Sequence, residues 1–212
     1  MRTSALIAAL AADRQAGGMP LRRRYALALI VGVIVSAAAF AIAIGPRADI
    51  AHALGTMRFD WKFVDTIALA IPTVFLAWRS IRPDAKLGIG AILLLAPIAV
   101  LGGSVAMELA MVPRDLWAAK LIGSNWLTCL TLIPLLSVAP LAALILAMRS
   151  GAPASPRLAG AAAGLAAAAL AATLYAANCT DDSPLFVAAW YSLATAIVVI
   201  FGVILGDRFL RW

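Results

Sequence analysis

The chain has 212 residues, 64% of them hydrophobic and 13% charged, with 17 Lys and Arg against 10 Asp and Glu. A soluble domain carries about 25% charge, so this composition, with a mean hydropathy of +0.99, excludes a water-soluble globular protein and describes an all-α polytopic membrane protein. The net charge of +7 does not imply direct nucleic-acid binding, because the basic residues flank apolar runs, the pattern that orients membrane helices.

Residues 1–24 form a polar lead ahead of the first apolar run. Ser4 is placed to cap a short helix over residues 5–14, with Leu6, Ile7 and Leu10 on one face and Asp13 and Arg14 near its end. Gly17, Gly18 and Pro20 then break it, and Arg22, Arg23 and Arg24 meet the membrane surface. An isolated helix of about ten residues is marginal in water, so this one is expected to order on binding. Its apolar face suits a groove on a soluble partner; with the arginines it also suits an anionic membrane lipid surface.

Residues 25–212 form the transmembrane domain. Six apolar runs lie near Tyr25–Ile44, Phe63–Trp78, Leu87–Met107, Trp126–Met148, Leu158–Ala177 and Leu185–Leu205, against the roughly 20 residues that cross a bilayer as a helix. The second is the shortest, with room to begin at Trp61. Six transmembrane helices put both termini on one side. Twelve Lys and Arg residues fall on that side and five on the other, which makes both termini cytoplasmic. The first run is too long for a signal-peptide core and reads as a retained anchor. Pro72, Pro97, Pro134 and Pro140 are expected to kink their spans, the last two making the fourth irregular. The fifth span carries a small-residue face from Gly160 to Gly164, which favours packing within the monomer over dimerisation.

No charged residue falls near the middle of any run. Asp65 and Glu108 lie near outer ends, where water is expected to reach them, and this disfavours an ion-coupled transporter. Without a phosphate loop, a Ser-His-Asp arrangement or a CxxC pair, nothing in the chain reads as an enzyme. The chemistry-bearing residues are the two cysteines. Cys129 lies about one turn into the fourth span and Cys179 closes the fifth, so both belong to the outer face. Three chemistries are open to them: inert small apolar residues, a disulfide in an oxidising compartment, or thiolate ligands for a soft metal ion. Asp181, Asp182, His52 or Glu108 could complete a metal site. In the short connection from Asn178 to Pro184, Asp182 or Ser183 is expected to cap the sixth helix, with Pro184 in its first turn.

Several stretches together resemble the NrsF family of bacterial membrane anti-sigma factors (negative regulators of sigma F). They are the opening from Leu6 to Asp13 with its following arginines, Cys129 with Leu135, Leu136 and Ser137, and Arg149 to Pro153. The most specific runs from Cys179 to Phe186, followed by Trp190-Tyr191 and Gly206 to Trp212. The resemblance covers nearly the whole chain. It implies an inner-membrane protein that sequesters an extracytoplasmic-function sigma factor. It also implies that Cys129 and Cys179 sense heavy metals or oxidants, with a transient metal ion and no resident cofactor. Leu6, Ile7, Leu10, Asp13 and Arg14 then become the partner-binding residues, and Asp181 and Asp182 further metal ligands. Where the family commonly has a histidine before its second cysteine, this chain has Asn178, which removes one ligand from such a site. Two other classes compete: a small-solute transporter, which needs a polar path, and a membrane thiol oxidoreductase, which needs redox-cycling cysteines.

Overall fold

The computed structural model describes residues 3–4, 19–84 and 88–211. Residues 5–18, which carry Leu6, Ile7, Leu10, Asp13 and Arg14, lie outside the described residues, as do residues 85–87. Among the described residues all regular structure is helical. Five helices are long and apolar enough to cross a membrane: α1 (Leu21–Ala43), α3 (Met57–Ser80), α7 (Trp126–Met148), α8 (Pro156–Ala176) and α9 (Pro184–Phe209). Shorter helices lie between them: α2 (Ile50–Ala53), α4 (Gly88–Leu93), α5 (Leu95–Met111) and α6 (Trp117–Ile122).

Among the described residues five helices reach membrane-crossing length, against the six spans expected. The third apolar run is divided at Leu94 into α4 and α5, and the cause is local. Pro97 has no N–H to give the Leu93 carbonyl and its ring crowds that carbonyl, so the helix restarts one residue later. By contrast, α7 carries Pro134 and Pro140 without interruption. Pro140 frees the carbonyl of Leu136, and Ser36 Oγ of α1 donates to that oxygen at 2.8 Å. A neighbouring helix thus supplies the hydrogen bond that the proline removed, as a lipid environment requires. Gly32 makes the approach possible, since a Cβ there would lie 2.6 Å from Pro140 Cα.

The alanine-rich α8 occupies the centre of the bundle, packed by α9, α3 and α7. Its Ala159, Ala163, Ala166, Ala167, Ala168 and Ala169 are fully buried. Small side chains let several helices approach one axis. Against α9 the fit reaches backbone contact: Gly160 and Gly164 face Gly202 and Gly206, and a Cβ on Gly206 would lie 2.7 Å from Gly160 Cα. The small-residue face is spent inside the monomer, as expected. Large apolar side chains such as Ile42, Leu135 and Ile200 remain exposed on the outside of the bundle, a surface suited to lipid.

Loop contacts define two ends. At one, Ala152 N–H donates to the Ile81 carbonyl at 3.1 Å, Arg24 donates to Ser150 Oγ, and Arg157 pairs with Asp207 at 3.0 Å. This end carries the start of α1 and the last helical residues. At the other end the 44–62 segment, the 112–125 segment and residues 177–185 meet.

Candidate functional site

Both cysteines lie at this second end, in one buried cluster. Cys129 comes from the first turn of α7 and Cys179 from the connection between α8 and α9. They share a core with Phe40, Ile133, Tyr175, Phe186 and Tyr191. Both are free thiols, 0% and 1% exposed. The Cys179 N–H donates to the Tyr175 carbonyl at 3.0 Å, continuing the last turn of α8. Burial raises the Cys179 thiol above its ordinary pKa, with the Lys62 ammonium opposing that shift. Cys179 therefore remains a protonated thiol at neutral pH, and only the thiolate is the metal ligand and nucleophile.

The connection carrying Cys179 is gripped from four directions. From α3, Lys62 Nζ donates to the Cys179 carbonyl at 2.7 Å and to the Asp182 carboxylate, with the Asp181 carbonyl at 3.5 Å. From the segment after α1, Arg47 reaches Asp182 at 2.8 Å and, through its own N–H, the Ala177 carbonyl at 3.0 Å. Both cations also stand over the ring of Phe59, at 5.4 Å for Lys62 and 5.7 Å for Arg47. Arg47 further pairs with Asp49, whose carboxyl it holds down at a pKa of about 2. That pair is complete above the ordinary carboxylate range near pH 4 and is lost only as pH falls through about 2.

From the turn leading into α7, the backbone N–H groups of Ser124 and Asn125 donate to the Asp181 carboxylate at 3.0 and 2.8 Å. Gly123 permits this turn. Its φ is +59°, and a Cβ there would meet the Phe186 ring and sit 2.9 Å from Asp181 Cγ. From α5, Glu108 Oε2 accepts from Ser183 Oγ at 2.6 Å and from the Leu185 N–H at 3.2 Å. Arg58 lies 3.4 Å from its other oxygen.

Several sequence-based expectations change here. Pro184 does occupy the first turn of α9, but neither Asp182 nor Ser183 caps it; the cap is Glu108, a carboxylate at a helix N-terminus supplied by another helix. Asp65 and Glu108 are 7% and 4% exposed, so the expected water access is overturned: neighbouring helices cover both. Lys62, one of the five basic residues counted on the face opposite the termini, is 2% exposed. Its burial follows from α3 beginning at Met57, six residues ahead of the expected Phe63, which brings Phe59 and Lys62 onto the packed helix. Asp181 and Asp182 are engaged by α7 and by Lys62 and Arg47, while His52 stands exposed on α2. Among the described residues no group of three or more His, Cys, Asp and Glu is placed to hold a metal ion. Asn178 has a structural task instead, its side chain donating to the Gly45 carbonyl at 3.0 Å.

Comparison with known proteins finds similarity along the full length of the chain. A family model described as "Negative regulator of sigma F" (NrsF) matches residues 10–212. A relative from Azospira oryzae, named "Probable anti-sigma-F factor NrsF", is 34% identical over 213 residues, covering all of both chains. The "Anti-sigma-F factor NrsF" of Caulobacter vibrioides is 34% identical over 220 residues, again with full coverage of both. No solved structure matches the chain. On the family match and these full-length relatives, the chain belongs to the NrsF family of negative regulators of sigma F.

Proposed function

We propose that the protein is an inner-membrane anti-sigma factor that crosses the bilayer six times, with both termini in the cytoplasm. α4 and α5 together make the third crossing. The observation that carries the reading is full-length similarity to two relatives named as anti-sigma-F factors. The partner is a sigma factor of the extracytoplasmic-function class, held by the lead residues Leu6, Ile7, Leu10, Asp13 and Arg14. The basic loops after α3 and α7 supply a second contact, supported by the hydrogen bond that ties Ile81 to Ala152. A soluble partner at this face meets a surface rich in arginine, the composition expected on the cytoplasmic side.

Release begins at the opposite face, with a soft metal ion or an oxidant acting on Cys129 and Cys179. The support is that Cys179 has two chemically distinct connections. Its sulfur lies in the same core as Cys129, and its carbonyl is held by Lys62 of α3. A buried thiol has to become accessible and lose its proton before it reacts, so modification favours a conformation in which the connection has lifted. In that conformation Lys62 loses an acceptor, and α3, which descends to the loop bonded to Ala152, is freed to shift. A signal acts in this way only through different affinities for the two conformations. Asp181 and Asp182 become available as further ligands when their present contacts open.

The test is capture of the sigma factor from detergent-solubilised membranes of the native host. Full-length protein is expected to retain the sigma factor, and a version lacking residues 2–21 to lose it. The Cys129→Ser/Cys179→Ser variant is expected to retain it both before and after cadmium or peroxide treatment. Release from that variant as readily as from the native chain would remove the thiols from the mechanism. Failure of the correctly inserted native chain to capture a sigma factor that is present would remove the anti-sigma reading itself.

A further inference from the structure

A second site lies between the helices, lined mainly by residues outside the cysteine cluster. A cavity of about 390 Å³ opens between α3, the α4–α5 break, α8 and α9. Pockets that take small molecules hold roughly 300–1,000 Å³ and place few polar groups in an apolar lining. This one has that form. Leu69, Pro97, Ile98, Leu165 and Val199 provide aliphatic walls, and Asp65 provides a charged group. Asp65 is 7% exposed and Tyr191 4%. Among the described residues Asp65 Oδ1 has no hydrogen-bond partner.

Two backbone irregularities converge on the same space. Leu94, the residue between α4 and α5, lines the cavity, and so does Tyr191 at the end of a π-helical turn over Val187–Tyr191. Single π turns inside α-helices recur at functional sites. A packing defect between membrane helices is lined by apolar atoms, since an unpartnered carboxylate is costly to bury in hydrocarbon. Here a carboxylate lines the cavity, and the cation one turn earlier on the same helix, Lys62, is already engaged by Asp182 and Cys179.

We infer that this cavity binds a lipophilic primary amine, its ammonium head on the Asp65 carboxylate and its hydrocarbon tail among the aliphatic walls. A protonated amine offers three donors and the charge that an unpaired carboxylate lacks. A neutral molecule of the same shape satisfies the walls and leaves the charge unmatched. The site shares Tyr191 with the cysteine core, but its recognition of charge rests on Asp65 and does not depend on the thiols.

The experiment uses the full-length protein in lipid nanodiscs and a dodecylamine bearing a photoactivatable diazirine in its tail, compared with the matching dodecanol. Saturable labelling of the peptides around Leu69, Pro97 and Ile98 by the amine, displaced by plain dodecylamine, is expected. Asp65→Asn should weaken that labelling roughly tenfold, the loss of one charge-assisted contact. Ala196→Phe, a substitution at an exposed cavity-lining position, should abolish it while leaving the core packing untouched. Should Asp65→Asn fail to fold, the amine–alcohol contrast on the native chain and the Ala196→Phe variant decide. Saturable labelling by amine and alcohol alike, labelling unchanged by Ala196→Phe, or uniform labelling of all lipid-facing helices would each overturn the assignment.

Discussion

Lys62 concentrates the energetics of the cysteine end in a single side chain. Its ammonium has three donors, and the Cys179 carbonyl, the Asp182 carboxylate and the Asp181 carbonyl stand around them. Removing one partner of a buried pair leaves the other without compensation. Lys62→Met is expected to lower stability by about 3 kcal/mol, read as the shift of an SDS-unfolding midpoint in mixed micelles. Asp182→Leu added to it should cost less than the two single changes combined, because the pair acts as a unit; strict additivity would show that Lys62 is held by its apolar stem alone. Lys62 also marks the boundary of what the sequence disclosed about the site. Alternating spans were enough to bring Cys129 and Cys179 to one face. The burial of Lys62 depends on Asp182, 120 positions along the chain, and no local pattern signals a pairing at that distance. Glu108 escaped recognition for the same reason, since its acceptor role answers donors of Ser183 and Leu185.

Among the elements, α8 and α9 show which helix contacts depend on having no side chain at all. The four-residue spacing of Gly160 and Gly164 was readable as a packing face. Its partner, Gly202 and Gly206 in α9, has the same spacing inside a run whose overall hydropathy hides it. A Cβ on Gly202 would lie 3.0 Å from Gly164 Cα and close to the Gly160 carbonyl, atoms that move only if the helices part. Gly202→Val is expected to destabilise the bundle by about 3 kcal/mol, whereas Gly103→Ala, where a Cβ meets nothing within 4 Å, should cause no loss. The same SDS-unfolding measurement distinguishes them, and equal midpoints would contradict the backbone contact. Prolines were the less legible element feature. Four of them fall in apolar runs, yet only Pro97 coincides with a helix break. The outcome at Pro140 was decided by Ser36, on a helix about a hundred residues earlier.

For the molecule as a whole, helix content and most boundaries were legible because lipid admits few alternatives. The fourth run matches α7 residue for residue. The third run was misjudged as one helix, and that division bears on the crossing number. If α4 and α5 together cross the bilayer, a periplasm-active reporter fused after Pro113 should be active, and one fused after Pro83 silent. A cytoplasm-active reporter should give the reverse pattern. Activity on the same side for both fusions would reduce the crossings to five and place the termini on opposite faces.

The seat that Glu108 provides for α9 has a consequence for how the chain is built. A protein leaves the ribosome from its N-terminus, so α9 appears after α5, and its first turn meets a carboxylate on an element made before it. The start of α9 is thereby coupled to the arrival of α5, and its Gly202 and Gly206 meet a glycine face made one helix earlier. Joining of α9 to the bundle is then a docking step onto a receptor whose parts, α5 and α8, are encoded ahead of it.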